Sequence, residues 1–157
     1  MKSASNPRRR VLQALAFAPV VAAPPAVRAQ APGARILTVE ELVQPYLAGA
    51  GAVEAGMRLQ MPALADNGLV VPARISVDSP MSDDDHVRQI LLLSPRNPVS
   101  RMAVFSLGPW SGRAEIATRV RLAGTQTVVA LALLSTGAWR IATAEVIVTE
   151  SACLDMG

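Results

Sequence analysis

Leu69-Val70-Val71-Pro72-Ala73-Arg74-Ile75-Ser76-Val77-Asp78 is the stretch on which the fold turns. Leu69, Val71, Ala73, Ile75 and Val77 share one face of a two-residue period, and Arg74, Ser76 and Asp78 share the other. Side chains of a strand alternate between its two faces, so this pattern reads as a half-buried strand. Ser79-Pro80 ends it. Downstream, His86 to Leu93 reads as a second strand closing in the apolar run Ile90-Leu91-Leu92-Leu93, and Met102 to Leu107 as a third. Gly108-Pro109-Trp110-Ser111-Gly112 turns the chain. Ala114, Ile116, Thr118, Val120 and Leu122 then alternate with Arg113, Glu115, Arg119 and Arg121 in a fourth. Thr127 to Leu134 and Trp139 to Thr149 complete the set, separated by the turn Ser135-Thr136-Gly137. Six short strands with turn residues between them argue an all-β, antiparallel sandwich.

Upstream, Thr38-Val39-Glu40-Glu41 starts a short helix. Thr38 can cap it, Glu41 can close a capping box, and both Glu residues favour the positive helix end. Leu42 and Tyr46 share a face, Pro45 limits the helix, and Gly49 and Gly51 end it. Between Met57 and Leu64, Pro62 interrupts the pattern and no element is assigned.

Residues 1–29 read as an export signal. Arg8-Arg9-Arg10-Val11-Leu12 has the form of a twin-arginine start. Val11 to Val27 is moderately apolar but broken by Pro19, Pro24 and Pro25, which argues against a membrane span. Val27-Arg28-Ala29 fits the small-x-small cleavage rule, with the cut before Gln30. A general secretory signal and a basic, Ala-rich cytosolic start are the alternatives. The expected location is the periplasm. Residues 30–149 would form the domain and 150–157 a C-terminal arm.

The leader also carries the positive charge. Five of the fifteen basic residues precede residue 30, leaving ten against twelve acidic ones, a net charge of −2. That removes the electrostatic case for nucleic-acid binding. Two Trp, one Tyr and two Phe are few for stacking bases or sugars. One Cys and one His supply neither a four-ligand zinc site nor an internal disulfide. Gly49-Ala50-Gly51 lacks the spacing and the preceding strand of a phosphate loop. No cofactor is implied.

Several stretches carry a family resemblance. They are Asp66-Asn67-Gly68-Leu69-Val70-Val71-Pro72, Val77-Asp78-Ser79-Pro80-Met81, Asn97-Pro98 with Phe105, the long run from Ser111 to Ala130, and Val146-Ile147-Val148-Thr149 followed by Cys153. Over Thr38 to Cys153 the chain resembles SoxY, the carrier subunit of the periplasmic thiosulfate-oxidising system. The resemblance implies an Ig-like sandwich that pairs with a second Ig-like subunit, SoxZ, as a heterodimer. It also implies a C-terminal arm whose cysteine holds a covalent sulfur adduct, which Sox-type cytochromes and a hydrolase load, oxidise and release. Cys153 matches the carrier cysteine. The family arm reads Gly-Gly-Cys-Gly-Gly, whereas here it is Glu150-Ser151-Ala152-Cys153-Leu154-Asp155. This is similar to a related subgroup whose arm reads Ala-Ala-Cys-Ile-Glu.

The arm residues have chemistry of their own. Glu150 and Asp155 place negative charge beside Cys153, which raises a thiol pKa and lowers its thiolate fraction. Activation would then come from a positive site on a partner enzyme, which suits a passive carrier and not an autonomous enzyme. Ser151, Ala152 and Leu154 are bulkier than glycine and ask for a wider partner cleft. A lone exported cysteine can also dock or cross-link to another protein, which makes an interaction subunit the rival reading. A copper chaperone using Cys153 with Met156 is a third, short of ligands.

Other clusters carry less. Arg119 and Arg121 lie two apart on one strand face and could meet an oxyanion or a partner, or simply form a polar outer face with Glu115. Asp83-Asp84-Asp85-His86 reads as a solvated turn capped through Ser82 or Asp83, and not as a metal site. Trp110 and Trp139 read as core or rim packing. Ser151 has no visible His/Asp partners for hydrolysis.

Overall fold

The computed structural model describes residues 35–150; the expected export signal, residues 1–29, and residues 151–157 of the expected arm lie outside them. The order is a helix followed by nine strands: α1 (Val39–Leu47), β1 (Ala52–Val53), β2 (Met57–Gln60), β3 (Leu64–Asn67), β4 (Val71–Val77), β5 (Val87–Leu93), β6 (Arg101–Ser106), β7 (Ala114–Val120), β8 (Gln126–Leu134) and β9 (Trp139–Glu150). A single 3-10 turn, Pro109–Ser111, precedes β7.

The strands form two sheets. The larger runs β1-β9-β8-β5-β6, with β3 also on β9, and the smaller runs β2-β4-β7. The expected all-β sandwich led by a short helix is the architecture found. β4 shows the anticipated alternation, with Val71, Ala73, Ile75 and Val77 buried and Pro72 and Arg74 exposed. Pro72 lies where β4 pairs with β7 alone, since β2 reaches only Arg74 to Val77, so at this point β4 has one free side.

The apolar run of β5 has a three-layer explanation. Ile90 and Leu92 point between the sheets, into a core shared with Val71, Ile75, Val128 and Val146. Leu91 and Leu93 point the other way, against Leu42, Val43 and Leu47 of α1. The helix thus covers the outer face of the large sheet, and β5 and β8 are apolar on both faces. Its start is as read: the Thr38 Oγ1 accepts from Glu41 N–H at 3.2 Å, and the Glu41 carboxylate accepts from Thr38 N–H at 2.9 Å. It ends one residue before the first glycine, at Ala48 in the left-handed region.

Two pairings depart from the antiparallel rule. β1 and β3 both run parallel to β9, through Ala52 with Trp139 and Leu64 with Ile147. The twelve-residue β9 is longer than β8, and its overhanging end, from Ile147 to Glu150, takes β3 as its partner. β2 and β3 flank Pro62, which is why the interrupted period concealed them. No helix among the described residues is long and apolar enough to cross a membrane.

Candidate functional site at the arm end

Three loops and one strand end converge where the described chain stops. Glu150, counted with the arm in the sequence reading, belongs instead to the sheet: it is the last residue of β9, paired with Asn67. Its carbonyl accepts from Gly68 N–H at 2.7 Å, and the Gly68 carbonyl accepts from Leu122 N–H at 2.8 Å. Gly68 therefore ties the end of β9 to the end of β7. β3 supplies this partner and so moves the strand end one residue past Thr149. From Glu150, Cys153 is three residues on, a reach of about 10 Å for an extended chain. Ser151, Ala152, Cys153, Leu154 and Asp155 themselves lie outside the described residues.

The loop between β5 and β6 is pinned to the same place by a buried polar cluster. Ser94 is fully buried; its hydroxyl donates to Gln126 Oε1 and accepts from Asn97 N–H at 2.9 Å. Asn97 then bridges outward. Its Nδ2 donates to the Arg121 carbonyl at 2.8 Å, and its Oδ1 accepts from Ala123 N–H at 2.9 Å and from Gln126 Nε2 at 3.4 Å. A buried polar group unmatched in this way would cost far more than the bond itself contributes, so the cluster fixes the loop. Thr125 extends the link to β9, its hydroxyl accepting from Val148 N–H at 3.0 Å.

Arg119 is the penultimate residue of β7 and Arg121 lies just past it. Both are exposed, and both line a groove of about 490 Å³ between β7 and β6. The opposite wall contributes Pro98, Val99, Arg101, Met102 and Ala103. β6 and β7 are the outer strands of their two sheets, so the groove runs along the open side of the sandwich. The three ion pairs among the described residues join Arg35 to Glu41, Arg58 to Asp78 and Arg113 to Glu115, and include none of the groove arginines.

Sequence reasoning found Arg119 and Arg121 but not Arg101 or Val99, which reach the groove only through the β5–β6 pairing. Val99 is 71% exposed, a signal visible only once the loop is placed. Asn97 was noted for its resemblance; its bridging role had no local signature. The Asp83–His86 segment is a turn as read, with Ser82 Oγ accepting from Asp85 N–H at 3.1 Å. Among the described residues, no three His, Cys, Asp or Glu side chains come together as a metal site. Trp110 is not core: it is 86% exposed, standing over Gly108 beside the 3-10 turn. Trp139 is half-buried under α1.

The profile of the sulfur oxidation protein SoxY matches residues 44–153, well over half of the sequence. The chain belongs to the SoxY family. Among solved structures, the sulfur carrier protein SoxY from Chlorobium limicola f thiosulfatophilum aligns at 24% identity with a TM-score of 0.53, over 68% of this chain and 94% of that one. The superoxide reductase (neelaredoxin) from Ignicoccus hospitalis aligns at 15% identity and TM-score 0.53, over 72% of this chain and 94% of its own. A putative superoxide reductase from Thermotoga maritima gives 15% and 0.52, over 73% and 99%. At these identities the structural likenesses describe a shared fold. A search of the curated proteins gives no match.

Proposed function

We propose that this chain is a non-catalytic sulfur carrier of the periplasm, exported by the twin-arginine route with cleavage near Ala29. Cys153 holds a sulfur-containing intermediate for partner enzymes. The observation that carries the reading is that the SoxY match runs to residue 153, the position of the lone cysteine. The Chlorobium protein of the same fold is described as a sulfur carrier, which supports it. The arm, with its Ala-Cys-Leu-Asp core, is of the Ala-Ala-Cys-Ile-Glu subgroup.

The chemistry assigns the carrier a passive part. Joining a thiol to a thiosulfate-like oxoacid forms an S–S bond and releases one proton and two electrons. A partner cytochrome must take those electrons. Hydrolysis of the outer sulfonate then consumes one water, breaks the bond between the two outer sulfurs, releases sulfate and a proton, and leaves a persulfide on the arm. Glu150 and Asp155 disfavour the Cys153 thiolate, so the loading enzyme must supply positive charge. A SoxZ-like subunit completes the heterodimer. The exposed Trp110, at 86% in the turn between β6 and β7, and Val104, at 43% on the edge strand β6, support such a protein contact. Arg119 and Arg121 support contact with an anionic cargo or partner.

The test is the intact mass of the protein taken from native periplasm, with and without reductant. A reductant-labile adduct on Cys153, absent from Cys153→Ser while the heterodimer persists, is the expected result. An unmodified thiol under every growth condition would refute the carrier and favour the interaction subunit. A mass equal to a disulfide-linked partner would do the same.

A further inference from the structure

We propose that the outer face of the β2-β4-β7 sheet is a docking surface for an extended acidic segment of another protein, one with carboxylates at alternate positions. The inference goes beyond the carrier reading and uses nothing of Cys153, so the two can fail separately.

The two sheets are covered unequally. The large sheet carries α1 on its outer face, packed through Leu42, Val43 and Leu47. On the small sheet the outward positions, Arg58, Gln60, Pro72, Arg74, Ala117 and Arg119, are exposed. Its three strands hold three arginines and a single acidic residue, Glu115.

The register sets those arginines in a line. Arg74 of β4 lies opposite Gln60 of β2 and Ala117 of β7. Arg58 is two positions from Gln60 and faces Ser76; Arg119 is two positions from Ala117 and faces Pro72. Ser76 and Pro72 lie on opposite sides of Arg74, so Arg58, Arg74 and Arg119 form one diagonal across the sheet, one residue per strand. Diagonal neighbours on a sheet face are about 7–8 Å apart, which makes the line roughly 15 Å long. Alternate side chains of an extended chain are spaced about 6.5–7 Å, a distance that long arginine side chains accommodate.

Sheet stability gives no reason for this diagonal, because like charges at neighbouring positions repel. Compensation within the sheet is thin. Arg58 meets Asp78 at 4.0 Å and Arg113 meets Glu115 at 3.9 Å, all four side chains being exposed, while Arg74 and Arg119 enter none of the ion pairs among the described residues. Shallow grooves of about 400 and 470 Å³ flank Arg74. In the larger, Pro72 and Ala117 stand beside Arg74 and Arg119, and such small side chains leave the guanidinium groups open to a carboxylate. Arg119 is where this face meets the β6–β7 side; Arg58 and Arg74, on the other two strands, lie away from it and carry the test.

The full chain is titrated at low ionic strength with a fluorescein-labelled Glu-Thr-Glu-Thr-Glu-Thr-Glu peptide, read by fluorescence anisotropy, and with an isomer of the same composition whose glutamates are contiguous. The alternating peptide should bind roughly twofold to fivefold more tightly than its isomer, the worth of one or two exposed charge pairs. Arg74→Glu should weaken it roughly threefold to tenfold, Arg58→Glu in the same direction and Arg74→Gln by less, and the losses should shrink as salt rises. Arg88→Glu, the same charge change at an exposed position of β5 in the other sheet, should leave the affinity within about twofold. No binding to the parent, equal losses in Arg74→Glu and Arg88→Glu, or equal affinity for the two peptides overturns the proposal. Displacement of the peptide by sodium sulfate at an ionic strength where sodium chloride leaves it bound also overturns it, and assigns the arginines to a free oxyanion.

Discussion

Asn97→Ala tests whether the polar bridge holds the arm end together. The substitution removes three hydrogen bonds: to the Arg121 carbonyl, from Ala123 N–H and from Gln126 Nε2. Arg121 is exposed, so water can replace its lost donor. Ala123 and Gln126 are only 5% and 7% exposed, so their N–H groups stay buried without an acceptor. Each such group costs about 1–3 kcal/mol, which for the two gives a destabilisation of about 2–6 kcal/mol. At a urea m-value of about 1.5 kcal/mol/M the midpoint falls by roughly 1–4 M, with m unchanged. Asn97→Asp keeps the Oδ1 acceptor for both buried donors and gives up only the exposed bond to Arg121. It should therefore cost less than half as much. An Asn97→Ala variant within about 0.5 kcal/mol of the parent, or an Asp variant as unstable as the Ala one, would refute the reasoning.

Two further predictions concern the helix and the core. Thr38→Ala removes the cap of α1 and should lower stability by about 1 kcal/mol in chemical denaturation. The hydrogen bonds from Thr38 backbone and side chain, with the Arg35 charge, hold the Glu41 carboxyl below its ordinary pKa. Its contribution is therefore full above the unfolded-state pKa and is lost as pH falls through the folded one. The parent should lose more stability than Glu41→Gln on acidification from neutral pH, and equal losses would contradict the box. Leu92→Ala, at a fully buried position between the sheets, should cost about 2–5 kcal/mol in the same assay.

The strands that alternate cleanly were legible because burial on one face leaves a two-residue period in the chain itself. β4 and β7 are of this kind, and Val71 to Val77 emerged with the expected face inward. The Thr38–Glu41 box was legible for a similar reason, since its partners are three residues apart. β2 and β3 were not, because Pro62 and short length leave too few positions to show a period. β5 was recognised as a strand, yet its unbroken apolar run acquired a reason only when α1 was found on its outer face. The extent of β9 was misjudged by one residue because Glu150 is held by β3, a partner more than eighty residues away.

By itself the sequence determined the all-β class, the capped helix and the presence of a single cysteine. Each depends on residue type and spacing within one segment, where local physics suffices. Only the tertiary structure decided that β1 and β3 run parallel to β9, and that Gly68 ties Glu150 to the end of β7. It also decided that Arg101 and Val99 face Arg119 and Arg121 across a groove. These are pairings between distant segments. Strand pairing depends on which edges remain free after the core has closed, and no short window of sequence records that.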